Sequence, residues 1–545
     1  MMDRRSAIKF LGATIPVLFL SKFSSATPDW AKAPFNPNWQ SLERYNVPDW
    51  FRDAKFGIWA HWGPQCQPEY GDWYAKGMYK EGSDQYNYHL EKYGHPSVFG
   101  FKDVIHTWKA EKWDPEQLVK FYRKIGAQYF MAMANHHDNL DLYDSTHHAW
   151  NSTRVGPKKD IIKGWRDAAK RQGLRFGVSV HAAHAWTWYE PAQLSDKKGG
   201  KVGVAYDGKA TKKDGFGKWW DGMDPQELYV QEHALSQNAV SGKQTLEQWD
   251  WKEGSGVSIP SQKYNHNFRE RTVDLIDKYH PDLVYFDDTA LPLWPVSSVG
   301  LDITSHYYNK SQKENKGVVD VVVTGKLLDA QQRKCLVWDI ERGHSQKIEP
   351  IPWQTCTCIG SWHYDKRIYD RDQYKSALTV LQTLVDVVSK NGNLLLSIPL
   401  RGDGSLDDKA YKIVFEIGDW MAVNQEAIIG TRPWHTFGEG PAQQFSTHFD
   451  GPGNNEGKGI AFSGKDVRFT TKGPALYAFI MGSPDQGKVK ISSLANGLQQ
   501  AKRINSVTVL GSNEEIVFDQ DQTGLSVVLP KSIQKQDSII VIKLT

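Results

Sequence analysis

His280-Pro281-Asp282-Leu283-Val284-Tyr285-Phe286-Asp287-Asp288-Thr289 decides how this chain folds. Pro281 sets a turn, and Leu283 to Phe286 is a short apolar run of strand formers, as in a strand buried on both faces. It stops at two carboxylates. A closed barrel of parallel strands and outer helices places reactive groups in this way, at the C-terminal ends of its strands. Taken alone, Asp287 or Asp288 is equally well a cap for the next loop or helix.

Upstream, the same unit recurs: helix, glycine, apolar strand, polar cluster. Pro115 to Ile125 is a helix with Leu118, Val119 and Tyr122 at helical spacing, closed by Gly126. The strand Tyr129 to Ala134 then delivers Asn135-His136-His137-Asp138. A helix at Asp160 to Gln172 and Gly173 lead into the strand Arg175 to Val180, which delivers His181. Earlier, Phe56-Gly57-Ile58-Trp59-Ala60 runs into His61. Downstream, Val318 to Val323, Leu336 to Ile340 and Leu394 to Ile398 read as strands, and Asp372 to Lys390 as a helix closed by Asn391-Gly392. Such alternation predicts α/β architecture, a (β/α)8 barrel over residues 40–430. Residues 190–264 break the rhythm and read as a long insertion at the active-site face. Its Trp219 and Trp220 either shape the outer cleft or pack a solvated loop. From 431 to 545 the chain turns to short strands between Gly, Asn and Asp, a C-terminal β-sandwich pattern. They are Gly459 to Phe462, Val467 to Thr470, Leu476 to Ile480, Ser506 to Leu510 and Ile539 to Leu544.

Bulk properties narrow the function. A net charge of +3 over 545 residues gives no reason to expect nucleic acid or an anionic membrane as partner. Cys66, Cys335, Cys356 and Cys358 are too few for a disulfide scaffold and read as free thiols. The 22 tryptophans and 23 tyrosines suit stacking on sugar faces as well as the filling of a large core. Residues 1–26 read as a targeting segment. Asp3-Arg4-Arg5-Ser6-Ala7-Ile8-Lys9-Phe10-Leu11 resembles a twin-arginine export signal, and Ser24-Ser25-Ala26 offers a cleavage site. The expected location is periplasmic or secreted.

His61, His136, His137, His181, Asp287 and Glu341 all follow apolar strands, and in a closed barrel such positions converge on one pocket. A metal site is not expected, because adjacent strand residues point to opposite sides and no ligand spacing such as His-x-x-x-His occurs here. No cofactor is expected either. Glycoside hydrolysis needs two carboxyls. Asp287 supplies one, and Glu341, in Trp338-Asp339-Ile340-Glu341-Arg342-Gly343, supplies the other, with Asp339 and Glu349 as rivals.

Several stretches carry a specific resemblance. They are Trp50-Phe51-Arg52-Asp53-Ala54-Lys55-Phe56-Gly57-Ile58 with His61-Trp62-Gly63, Gly71-Asp72-Trp73-Tyr74, and His136-His137-Asp138 with Tyr143-Asp144-Ser145. The Asp287 strand, Pro352-Trp353-Gln354-Thr355 with Ser361-Trp362-His363-Tyr364, Asn391-Gly392-Asn393 with Arg401-Gly402-Asp403-Gly404, and Gly430-Thr431-Arg432-Pro433-Trp434 continue it in order. In these the chain resembles the α-L-fucosidases of glycoside hydrolase family 29.

The resemblance implies a retaining exo-glycosidase that removes terminal α-L-fucose from a fucosylated oligosaccharide or polysaccharide. Asp287 matches the family's nucleophile. His61, His136, His137 and Trp362 match its sugar pocket. Asp72-Trp73 stands where the family has Glu-Trp, and Tyr285 where it often has Trp. His181 stands near the position of a family tyrosine and either replaces it or packs. Glu341 lies in the region of the acid/base. The alternatives are an α-L-galactosidase-like hydrolase and a non-catalytic glycan-binding protein on the same scaffold.

Overall fold

The computed structural model describes residues 33–545 apart from 231, 238, 240–250, 253, 444–455, 457, 458, 499–502 and 535–537. The expected export signal at 1–26 lies outside the described residues, as does part of the 190–264 insertion.

Eight parallel strands close into a barrel in chain order. They are β1 (Phe56–Ala60), β2 (Tyr129–Asn135), β3 (Arg175–Val180), β4 (Leu283–Phe286), β5 (Val322–Gly325), β6 (Val337–Glu341), β7 (Trp353–Cys358) and β8 (Gly392–Ser397). β8 pairs back onto β1 through Phe56 and Leu394. Side chains at strand N-termini do not carry the site; groups at and beyond the C-terminal ends of β1 to β7 do.

Local chemistry fixes the crossover helices. Asp114 accepts a hydrogen bond from Gln117 N, and Pro115 occupies the first turn of Pro115–Lys124. Asp160, Ser261, Ser376 and Asp407 cap Ile161–Arg171, Gln262–Tyr279, Ala377–Ser389 and Asp408–Asn424 in the same manner. Gly126 and Gly173, at φ +100° and +68°, take the left-handed turns that release the first two helices into β2 and β3.

Four readings of the sequence need correction. The fifth strand runs over Val322–Gly325, so it ends later than its most apolar residues. The helix expected from Asp372 starts at Ala377, because Asp372 is left-handed and Ser376 provides the cap. β7 was hidden by its polar residues, Gln354, Thr355 and Thr357, which are buried in the barrel. Gly459 to Phe462 form no strand.

The loop between β6 and β7, residues 342–352, contains no helix. The C-terminal region covers that flank. Its five-stranded antiparallel sheet has the order β13 (Val507–Val509), β16 (Ile540–Leu544), β11 (Ala475–Ile480), β10 (Val467–Lys472), β9 (Arg432–Glu439). A second sheet, β12 (Lys488–Ile491), β15 (Gly524–Val528) and β14 (Val517–Asp521), packs over it. Phe469, Ala478, Ile480, Ile540 and Ile542 meet Val489, Ile491, Leu525 and Val527 between the sheets. The alternate residues Tyr477, Phe479 and Val541 join the barrel's core, as period-two strands require. Helix Ala377–Ser389 packs on β9 and β10. The four cysteines are free and buried. No helix among the described residues is long and apolar enough to cross a membrane.

Candidate active site

At the C-terminal ends of the strands lies a cavity of about 360 Å³. Its wall includes Trp59, His61, Asp72, Trp73, His136, His181, Tyr285, Asp287, Lys326, Glu341, Trp362 and His363. Nine of the ten residues singled out in the sequence are thus on one wall; His137 stands just behind it.

Asp287 follows β4 and is the best-connected group. Its Oδ2 lies 3.1 Å from His137 Nε2 and accepts from His181 Nδ1 at 3.0 Å. Its Oδ1 contacts the Lys326 ammonium, and the same Nζ contacts Glu341 Oε2. Burial alone would raise the Asp287 carboxyl, but Lys326, His181 and His137 together hold it well below the usual carboxylate range. Burial likewise keeps the imidazoles neutral. His61 and His136 lie well below the ordinary value, His137 falls to about 3, and His181 is lowered despite the attraction of Asp287.

The histidines divide into two sets. His137 Nδ1 donates to His181 O at 2.9 Å, and His181 Nε2 meets Ser179 Oγ at 3.0 Å. His181 is therefore engaged through both nitrogens, and both rings serve Asp287. The His137 ring, expected at the sugar, touches Asp287 and stands behind the cavity wall. The alternation rule failed there because β2 ends at Asn135, and the His136 and His137 rings lie on the same side, 4.2 Å apart. His136 Nδ1 is tied to Gln65 Nε2 at 2.7 Å. His61 and His363 are buried with neither ring nitrogen hydrogen-bonded. Buried polar atoms of this kind want partners, and hydroxyl-rich ligands provide them.

By distance alone, His61, His136 and His363 would also suit a shared metal ion, as would His136, His137 and His181. In the second trio, His181 is already bonded at both nitrogens, and we assign it no metal. The first opens onto the cavity, and we assign it none either.

Asp72 lines the cavity, yet both its oxygens hold backbone: Oδ1 accepts from His363 N at 2.6 Å and Oδ2 from Trp362 N at 3.2 Å. It fixes the loop that carries Trp362, whose ring lies 5.3 Å from Trp59 and 5.5 Å from His61. Trp73, 37% exposed, stands edge-on to Trp188 at the rim. Tyr285 faces down the barrel, with its hydroxyl 3.6 Å from Cys356 Sγ. Asp288 is a cap: it accepts from Thr289 N at 2.7 Å, Leu293 N at 3.1 Å and Trp251 Nε1 at 3.3 Å.

Of the candidate second carboxyls, Glu341 is the one at the cavity. Asp339 lies beneath, bonded by Gln354 and Cys356, and burial lifts it to about 6. Glu349 is at the opposite end of the barrel. It bonds Ser345 and lies 3.6 Å from Arg333, while its backbone meets Lys390 ahead of β8. Neither Trp219 nor Trp220 lines the cavity: Trp219 stacks on His106 and Trp220 is buried. The sequence reading missed Lys326, His363, Trp59 and Arg342 as wall residues. Lys326 follows an apolar strand just as Asp287 does, so the same rule reaches it once β5 is given its true end.

Two carboxyls within reach of one ammonium, in a cavity walled by aromatic rings, are what cleavage of a glycosidic bond calls for. The upper face of the barrel is that of a glycoside hydrolase. The family model described as alpha-L-fucosidase matches residues 22–426, and that of the alpha-L-fucosidase C-terminal domain matches 462–545. The chain belongs to the α-L-fucosidase family, glycoside hydrolase family 29. It is similar to the tissue alpha-L-fucosidase of Homo sapiens, 24% identical over 531 residues that span 94% of this chain and 92% of the human protein. That of Rattus norvegicus is 24% identical over 535 residues, 94% of this chain and 93% of the rat protein. Among solved structures, the Thermotoga maritima alpha-fucosidase shares the fold with a TM-score of 0.66 at 22% identity, covering 94% of this chain and 100% of that one.

Proposed function

We propose that the chain hydrolyses terminal α-L-fucosides of glycans by double displacement, with Asp287 as nucleophile and Glu341 as acid/base. The observation that carries this reading is the Asp287–Lys326–Glu341 bridge. Carboxyls spanned by one ammonium suit the separation of about 5–5.5 Å that retention needs, not the about 6.5–9.5 Å of an inverting pair. Asp287 Oδ2 faces two imidazoles, so Oδ1 is the attacking oxygen. It bonds to the anomeric carbon as the bond from that carbon to the leaving oxygen breaks, and Glu341 gives that oxygen its proton. Glu341 then takes a proton from water. The water oxygen bonds the anomeric carbon, and Asp287 departs as the carboxylate. His61 and His136 offer neutral nitrogens to ring hydroxyls, with His363 beside them, while Trp362 and Trp73 cover apolar faces of the sugar. The export signal read at 1–26 would place this activity outside the cytoplasm.

An aryl α-L-fucoside, an α-L-galactoside and a β-D-galactoside separate the alternatives. Hydrolysis of the fucoside with release of α-L-fucose as first product is expected. Preference for the galactoside would change the substrate, β-L-fucose as first product would remove retention, and no turnover would leave a glycan-binding protein.

A further inference from the structure

Lys326 is held in place from behind. Its N–H donates to Thr289 O at 2.8 Å, which stitches the end of β5 to the loop that follows Asp287. The strands approach closely here. A Cβ on the preceding Gly325 would lie 2.5 Å from Ala290 O, so a larger residue would push Lys326 off its line. The side chain is 11% exposed, and its Nζ also lies 5.7 Å from the Tyr285 ring.

The charged surroundings of the two carboxyls are sparse. From β1 to β3 come His61, His136, His137 and His181, all neutral by burial. Asp288 after β4 and Asp72 in the loop before Trp73 are both taken up by backbone N–H groups. From β6, Asp339 lies beneath and Arg342 turns to Glu456 at 3.1 Å. From β7 comes the buried thiol of Cys356, and near Trp362 stands His363. Among the described residues, Lys326 is the cation that touches both Asp287 and Glu341.

We propose that Lys326 is a positioning residue that sets the pH window of hydrolysis by acting on both carboxyls at once. This rests on the roles given to Asp287 and Glu341 above. A cation favours the ionised form of any carboxyl it touches. In kcat/KM, the acid limb reports Asp287 losing its proton and the alkaline limb reports Glu341 losing its own. One shared ammonium lowers both limbs together, so the whole bell lies at lower pH than the carboxyls would give without it. Its flexible stem also lets the ammonium leave the gap when the anomeric carbon enters.

The test is kcat/KM against pH for Lys326→Met, with an aryl α-L-fucoside as substrate. Both limbs should move up, each by about 1–3 pH units, so the bell slides toward alkaline pH. Lys326→Arg keeps the charge and should keep the limbs. Lys326→Cys should behave like the methionine variant, and return toward wild type after aminoethylation with bromoethylamine, since the four native cysteines are buried. If Lys326→Met does not fold, the treated and untreated cysteine variant supplies the comparison. A lower rate with unmoved limbs means that Lys326 only packs, and movement of one limb alone means that it serves one carboxyl. Either result overturns the proposal. Absence of hydrolysis by the wild-type protein at every pH would instead overturn the fucosidase reading itself.

Discussion

Asp287 and Asp386 are both buried carboxylates among cations, and they are held by opposite means. At Asp386, each oxygen has its own full charge: Lys390 Nζ lies 2.6 Å from Oδ2, and Arg468 Nε from β10 lies 2.6 Å from Oδ1. Phe437 lies 4.8 Å from the lysine and 5.4 Å from the guanidinium, with Phe462 at 4.9 Å from the latter. Asp287 has two neutral imidazoles on one oxygen and, on the other, a lysine it shares with Glu341. Dedicated cations make a lock between two domains. Neutral rings and a divided cation leave one oxygen that a substrate can claim. Charge compensation alone therefore does not mark an active site; how much of it can be released does.

The contrast breaks most readily at Asp287. Asp287→Asn should lower kcat/KM for an aryl α-L-fucoside by at least about 10⁴-fold with an unchanged melting temperature; near wild-type turnover would remove the distinction altogether. Glu341→Ala comes next, with a loss of about 10²–10⁴-fold on substrates with poor leaving groups. Azide should restore turnover of an activated substrate and yield the α-configured fucosyl azide, and an inverted azide would place the nucleophile elsewhere.

At the lock, the effect should fall on stability. Asp386→Asn leaves Arg468 and Lys390 without their anion and should cost roughly 3–5 kcal/mol in chemical denaturation, while activity per folded molecule persists. The pH dependence sharpens this. The folded-state Asp386 carboxyl is depressed: burial would raise it, but Lys390 and Arg468 outweigh that. Its contribution is thus present above the unfolded value of about 3.9 and lost as pH falls below it. Denaturation curves of the wild type should show that loss, and those of the variant should not. The smallest effect is expected of Glu349→Gln at the far end of the barrel, with kcat/KM unchanged; azide rescue of Glu349→Ala would transfer the acid/base role there.

The barrel was legible because its helices announce themselves through caps and spacing, and its strands through apolar runs that stop at polar groups. Asp287, Glu341, His61 and His136 were found by that rule. Lys326 was not, because Val321 to Val323 drew the fifth strand's end two residues short of Gly325. β7 was illegible for a different reason. A barrel interior can be lined by hydrogen-bonded polar residues, and Tyr129, Gln354, Asp339 and Cys356 satisfy one another there. Apolar runs do not report such a strand. The division of labour between His136 and His137 depended on where β2 ends, and pattern fixes element ends least well.

The helix that is missing between β6 and β7 bears on how such a protein can be shortened or rebuilt. Directly after Glu341, Arg342 reaches Glu456, which also holds Lys375 at 2.5 Å and Thr357 Oγ1 at 2.7 Å. Glu456 belongs to the C-terminal half of the chain, as do Phe437 and Phe462 on the same flank. A gene cut near residue 430 therefore does not yield a minimal enzyme stripped of an accessory module. It yields a barrel with an open side beside its proposed proton donor, and the two halves have to be exchanged, grafted or inherited together.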